Sequence, residues 1–278
     1  MYEVVYLHRG RLIDDGLHLD RLDRSLGELR ITPPIGRAAL RVVLGEVVAR
    51  NRLTDGLIYI QVTRGAARRD HAFPPPGTRP ALVVTARRTP AFPSDPATWT
   101  ATAITLPDQR WARCDIKSVA LLPNVLARQA ARDRGATEAI LFDADGMVTE
   151  GASTSVWMVD ADGALRTRPL SHAILPGCTR AALSAELADA GIDWQERACS
   201  VEELRRAREI FLTAASSFVK PVLRLDGAAV GDGLVGPVAR AVFGVLSRRI
   251  RATGGPARAC LSNRADQIES RRINITKV

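Results

Sequence analysis

Lys117 lies in the run Arg113-Cys114-Asp115-Ile116-Lys117-Ser118, and Glu150 follows in Val148-Thr149-Glu150-Gly151-Ala152-Ser153-Thr154-Ser155. A lysine that loses its proton through desolvation or neighbouring positive charge can condense with an aldehyde. Lys117 is set between Ile116 and the apolar Val119-Ala120-Leu121-Leu122, where either influence could act. Glu150 supplies a carboxylate that could hold a proton on a heterocyclic nitrogen and so improve a ring as an electron sink. Taken singly, a lysine at a strand end and an acidic residue beside a glycine are also ordinary surface features.

Two further stretches could cradle a phosphate, which needs backbone donors on a tight turn or helix terminus. One is Pro176-Gly177-Cys178-Thr179-Arg180 leading into a helix, and the other is Ala214-Ala215-Ser216-Ser217 after a strand. Either could equally be a plain helix cap or turn. The cluster Arg64-Gly65-Ala66-Ala67-Arg68-Arg69-Asp70-His71 is densely basic. Arg69 and His71 alternate and could converge on a small carboxylate, the arginine through a bidentate pair, although a solvated turn has the same composition.

The elements that must position these groups are legible in part. Tyr2 to Leu7 reads as a strand, Gly10 as a hairpin and Arg11 to Ile13 as its return. Helical spacing covers Leu17 to Leu29 and Ile35 to Asn51. Gly56 to Thr63 and Pro80 to Thr89 read as strands, which makes the first 91 residues an α+β unit. The proline-rich stretch Pro90 to Thr98 is the expected boundary, so that 92–251 forms a larger domain and 252–278 a basic, peripheral tail. Within the larger domain, Thr100 to Leu106, Glu138 to Phe142, Ser155 to Val159, Ala164 to Arg168 and Glu209 to Thr213 read as strands. Ser118 to Gly135, Arg180 to Ala190, Val201 to Ala207 and Pro237 to Ile250 read as helices. Asp143-Ala144-Asp145-Gly146 and Asp160-Ala161-Asp162-Gly163 read as hairpin turns.

Composition narrows the function classes. With 278 residues and 46% hydrophobic content, the chain can bury a substantial core. A net charge of +9 raises a nucleic-acid reading, but the arginines are scattered and aromatics are 5%, so no basic-aromatic stacking surface emerges. The four cysteines show no CxxC spacing, and with four histidines no metal-ligand set forms. No apolar run reaches membrane-spanning length and no targeting core opens the chain, so a reduced, cytoplasmic setting is the expectation.

With these residues in view, the chain resembles the class IV, fold-type IV pyridoxal-phosphate aminotransferases, and among them D-amino acid transaminases. The resemblance runs from about Tyr2 to Ile250 and rests on Cys114-Asp115-Ile116-Lys117-Ser118 and Val148-Thr149-Glu150-Gly151 in the right order. It implies a two-domain α+β and α/β fold, with a small α+β domain followed by a larger pseudo-barrel domain. Pyridoxal 5′-phosphate would be the cofactor, carried by Lys117, with Glu150 at its pyridine nitrogen and Leu175 packed against its ring. Arg21 in Leu19-Asp20-Arg21-Leu22, Cys178, Thr179, Ala214, Ala215 and Ser216 would surround the phosphate; the two alanines could do so only through backbone N–H groups. Tyr2, Arg69 and His71 would trap the substrate carboxylate, with Arg69 and His71 reaching across from the second subunit of a homodimer.

The implied reaction is ping-pong transamination between a D-amino acid such as D-alanine and a 2-oxo acid such as 2-oxoglutarate. A branched-chain L-amino acid aminotransferase and an aminodeoxychorismate lyase are the alternatives within the family, and a silent fold relative kept for binding is the alternative outside it. Residues preceding the family's tyrosine, including a strand pair, have no counterpart before Tyr2; either the true start lies upstream of Met1, or the domain lacks edge strands, in which case unpaired strand edges and impaired activity are expected.

Overall fold

The computed structural model describes residues 1–253, so the expected basic tail lies outside the described residues from position 254 on. The chain divides into two compact units, Met1–Ala91 with the described residues from Ile250, and Phe92–Arg249.

The first unit carries β1 (Tyr2–His8), β2 (Arg11–Leu12), α1 (Asp15–Glu28), α2 (Arg37–Arg50), β3 (Gly56–Thr63) and β4 (Ala81–Arg88). The strands form an antiparallel sheet in the order β2-β1-β3-β4. Alternation in β3 sends Ile58, Ile60 and Val62 into the core, where Leu19, Leu22 and Leu26 of α1 and Leu44 of α2 are buried as well. The strand β1 pairs with β3 from Tyr2 to Leu7, but on its other side β2 meets only Leu7 and His8. Between β3 and β4 runs a loop pinched at its base by Gly65, whose φ is +106°; a Cβ there would stand 2.1 Å from the Arg79 carbonyl oxygen. Arg64 stacks 3.7 Å from the Phe73 ring centre and donates to the Arg30 carbonyl at 3.0 Å, which ties the loop to the end of α1.

The second unit contains β5 (Ala101–Pro107), α3 (Leu122–Asp133), β6 (Glu138–Phe142), β7 (Val148–Gly151), β8 (Ser155–Val159), β9 (Leu165–Thr167), α4 (Cys178–Asp189), β10 (Trp194–Glu196), α5 (Val201–Arg205), β11 (Glu209–Ala214), β12 (Phe218–Leu225), β13 (Ala228–Ala229) and α6 (Pro237–Thr253), the last of which runs past the unit's end. Its sheet has the order β10-β9-β8-β11-β12-β5-β6-β7, with β13 paired to β12. Parallel pairing joins β12 to β5 and β5 to β6, whereas β6 to β7 and β8 to β9 are antiparallel hairpins.

Both hairpins are closed by the Asp-x-Asp-Gly turns expected from sequence. Asp143 Oδ1 accepts from the Asp145 and Met147 amides at 3.2 and 2.9 Å, and Asp160 Oδ1 accepts from Asp162 and Ala164 at 3.0 and 2.9 Å. Gly146 and Gly163 take positive φ at +73° and +91°, which side chains rarely adopt.

Several sequence expectations need correction. The strands β7 and β13 have no counterpart among the expected strands. The helix after Lys117 begins at Leu122 rather than Ser118, with Pro123 in its first turn, where the missing N–H costs nothing. The strand β12 has no counterpart among the expected elements, because Pro221 argues against a sheet interior. At Pro221 only β11 lies alongside, since pairing with β5 begins at Val222. The short β10, which joins β9 in parallel register at Trp194, likewise carries no periodic signal.

Candidate active site

The segment that holds Lys117 has no regular structure and connects β5 to α3. It is fixed by its own side chains. Arg113 forks onto the buried Asp115 with Nε and Nη2 both at 3.0 Å, and Cys114 Sγ donates to the Trp111 carbonyl at 3.1 Å. Ile116 is buried and Lys117 half-buried, so the amine leaves a packed base.

Glu150 sits on β7, a strand with every residue buried. The Leu175 amide donates to both of its carboxylate oxygens at 3.1 Å. Arg110 Nη1 donates to Oε1 in a short contact, and both side chains are under a tenth exposed. Burial pushes the Glu150 carboxyl above the ordinary carboxylate range, while Arg110, the Leu175 amide and the charge of Lys117 pull it back. Lys117 and Glu150 therefore act on each other within the second unit.

Leu175 thus contributes a backbone donor as well as its side chain. Two residues later, Gly177 is the N-cap of α4 and offers no side-chain acceptor. A Cβ at Gly177 would lie 2.8 Å from Ser155 Oγ. Cys178 and Thr179 open the helix, buried, where first-turn amides have no intrahelical acceptor. Arg180, in the same turn, is buried. Its Nη2 donates to Glu196 Oε1 at 2.6 Å, yet its Nη1 has no partner among the described residues. A guanidinium in the first turn of a helix opposes the macrodipole, and a bound anion would relieve both that conflict and the orphaned donor. Ala214 ends β11, Ala215 and Ser216 form the turn to β12, and the Ser217 amide donates to the Ala214 carbonyl at 3.2 Å.

In the first unit, Arg21 is buried and donates through Nε and Nη2 to Glu3 at 2.8 and 2.7 Å, while His18 Nδ1 donates to the same carboxylate at 2.8 Å. Tyr2 is half-buried at the start of β1 and stacks on Tyr59, ring centres 5.7 Å apart. Arg69 and His71 are exposed on the β3–β4 loop. Sequence reasoning misses Glu3, His18, Asp108 and Arg110, since none stands in a spacing that marks chemistry before the chain folds; Arg180 is legible only as the end of the 176–180 phosphate candidate.

The sequence model of the class IV amino-transferases matches residues 1–225. The chain belongs to this family. Among curated relatives, the D-alanine aminotransferase of Staphylococcus haemolyticus is 39% identical over 240 residues, covering 86% of this chain and 84% of that protein. That of Bacillus licheniformis is 38% identical over 251 residues, covering 90% and 87%. Among solved structures, the branched-chain amino acid aminotransferase of Escherichia coli superposes with a TM-score of 0.82 at 23% identity, over 93% of this chain and 88% of that one. A hypothetical aminotransferase from Mycobacterium tuberculosis in its PLP-bound form gives a TM-score of 0.77 at 24% identity, over 91% and 89%.

The fold is accordingly the fold-type IV architecture, this aminotransferase is an enzyme of the transferase class, and its cofactor is pyridoxal phosphate. The residues present fit that group. A buried carboxylate suits its ring nitrogen, and the α4 terminus with an orphaned guanidinium nitrogen suits its phosphate. No helix among the described residues is long and apolar enough to cross a membrane.

Proposed function

We propose that this aminotransferase moves amino groups between a D-amino acid such as D-alanine and a 2-oxo acid such as 2-oxoglutarate. The observation that carries the reading is the 39% identity, over most of both chains, with a D-alanine aminotransferase.

Bound pyridoxal phosphate supplies an electron sink for the charge left at the substrate Cα. In our reading, Lys117 would hold the cofactor through its amine and, as a free amine, would take the proton from the substrate Cα and hand it back during the transfer. Glu150 would accept from the ring nitrogen and Leu175 would pack on the ring. Cys178, Thr179 and the Ala214-Ala215-Ser216 turn would hold the phosphate, with Arg21 the residue that the family resemblance adds. Tyr2, Arg69 and His71 bind the substrate carboxylate, which both product and donor share, so the same contacts serve both half-reactions.

A second copy of the chain completes the assembly in this reading. Leu122, Val125 and Leu126 of α3 stand at i, i+3 and i+4 and are 69%, 59% and 56% exposed, and Val119 just before them is 56% exposed. Such an apolar stripe is what a partner subunit would cover. The exposure of Arg69 and His71 on the β3–β4 loop agrees with their serving a partner's substrate.

The test is to load the purified protein with pyridoxal phosphate and follow the cofactor spectrum on adding D-alanine or L-leucine, each with 2-oxoglutarate. Conversion to the pyridoxamine form with D-alanine alone is expected. Conversion with L-leucine alone would overturn the proposed donor in favour of a branched-chain L-amino acid. Arg69→Ala is expected to weaken donor use far more than cofactor retention.

A further inference from the structure

Glu150 is one end of a buried chain of charges. Its Oε1 takes both the Leu175 amide and Arg110 Nη1, whereas Oε2 takes only a share of the Leu175 amide among the described residues. Arg110 is itself gripped on three sides. Asp108 receives Nη2 at 2.6 Å and Nε at 2.9 Å, and its Oδ1 also accepts the Arg110 amide at 3.0 Å. The Ala173 carbonyl accepts Nη2 at 3.1 Å. Asp108 is held in turn by Thr149 Oγ1 at 2.7 Å, one residue before Glu150, and that hydroxyl sits 3.1 Å from the Leu141 carbonyl oxygen.

Two carboxylates therefore share one hydrogen-bonded guanidinium in a buried place, and Lys117 and Arg180 act on Glu150 by charge, so Oε2 has room for a further cationic donor. Uncompensated buried charge is costly, and a protonated ring nitrogen at Glu150 Oε2 would supply that donor. The other ionisable groups that act on this cluster are Lys117, Arg180, Cys114 and, through Cys114, Asp115.

We propose that Arg110, oriented by Asp108, is the positioning residue that keeps Glu150 ionised and turned with Oε2 toward the cofactor, so that the shared proton resides on the ring nitrogen rather than on the carboxyl. The proposal rests on the reading that Glu150 faces that nitrogen. Without Arg110, a carboxylate beside Asp108 in a buried strand gains from taking the proton itself, and the ring becomes neutral. No atom is gained or lost in this exchange; one proton moves from nitrogen to oxygen. A ring without that charge draws less electron density from the substrate Cα, so Arg110 would govern the rate of proton removal without touching the substrate.

The experiment uses pyridoxal phosphate labelled with nitrogen-15 in the ring, bound to the full chain and observed by NMR, where pyridinium and pyridine nitrogens are well separated. Wild type, Glu150→Gln, Arg110→Met, Arg110→Lys and the Arg110→Met/Glu150→Gln pair are compared at neutral pH. The expected result is a pyridinium-like resonance in wild type and a pyridine-like one in Glu150→Gln and Arg110→Met. Arg110→Lys should fall between, since it restores charge but not the fork. The double variant should match Glu150→Gln alone, because both substitutions act on the same proton. A wild-type resonance in Arg110→Met alongside a shifted one in Glu150→Gln would overturn the role of Arg110 while leaving Glu150 at the nitrogen. An unshifted resonance in Glu150→Gln would refute the placement of Glu150 and the proposal with it. If Arg110→Met does not fold, Arg110→Lys and Asp108→Asn decide: an unmoved resonance in both overturns the proposal, and an intermediate one supports it.

Discussion

Replacing Glu3 by glutamine is expected to cost the first unit about 3 kcal/mol at neutral pH. The Glu3 side chain has no exposure, and its partners Arg21 and His18 are 8% and 3% exposed. Burial alone pushes this carboxyl up, but the Arg21 guanidinium and His18 outweigh it and bring the pKa from 4.5 to about 2. That displacement corresponds to about 3 kcal/mol in favour of the ionised folded form. Glutamine keeps the shape but presents one acceptor oxygen to two guanidinium donors and removes the Glu3 counter-charge from a buried cation, a loss of about 3–5 kcal/mol in comparable pairs.

The pH dependence separates this from a packing defect. A depressed carboxyl stabilises the fold above its ordinary range and loses that contribution as the pH falls toward the folded pKa of about 2. Glutamine does not titrate, so the gap between wild type and variant should narrow by about 2 kcal/mol between pH of about 5 and about 3. Urea unfolding can isolate the unit concerned. Tyr2, Tyr6 and Tyr59 all lie in the first unit, whereas Trp99, Trp111, Trp157 and Trp194 lie in the second, so tyrosine absorbance follows the first alone. A gap under about 1 kcal/mol, or one that stays constant over that pH range, would refute the assignment of a folding role to the Glu3 charge.

Other outcomes follow from the second unit. A methyl at Gly151 would stand 2.0 Å from Thr154 Oγ1 and 3.1 Å from the Thr154 carbonyl oxygen. Gly151→Ala should therefore destabilise by about 1–3 kcal/mol, and adding Thr154→Ala should recover part of it in thermal melts. Cys114 and Cys199 are buried, and burial pushes each thiol up to about 11. Both should resist alkylation in the native protein at neutral pH and react on unfolding, as peptide mass spectrometry would show. If α3 makes the subunit contact of the proposed homodimer, Leu122→Asp with Leu126→Asp should halve the mass measured by light scattering; an unchanged mass would place that contact elsewhere.

Local structure is legible where residue type and spacing act over short range. The Asp-x-Asp-Gly turns close as expected, because an aspartate acceptor and a positive-φ glycine specify the turn without help from the rest of the chain. The alternation of β3 and the leucine spacing of α1 likewise mark a core face before any contact is known. Elements whose signal is contradictory are not legible: Pro221 hides β12, and Pro123 reads as the interior of a helix that it begins.

The family is legible in the linear chain, since Lys117 and Glu150 in their neighbourhoods carry the resemblance that the comparisons bear out. The electrostatic setting of those groups is not; it arises on folding. Arg110 meets Glu150 across 40 residues and Arg21 meets Glu3 across 18, and each pair is ordinary in sequence. The interaction becomes large only when the sheet removes both members from water, because burial is what turns a weak surface attraction into a strong constraint on where a proton can sit.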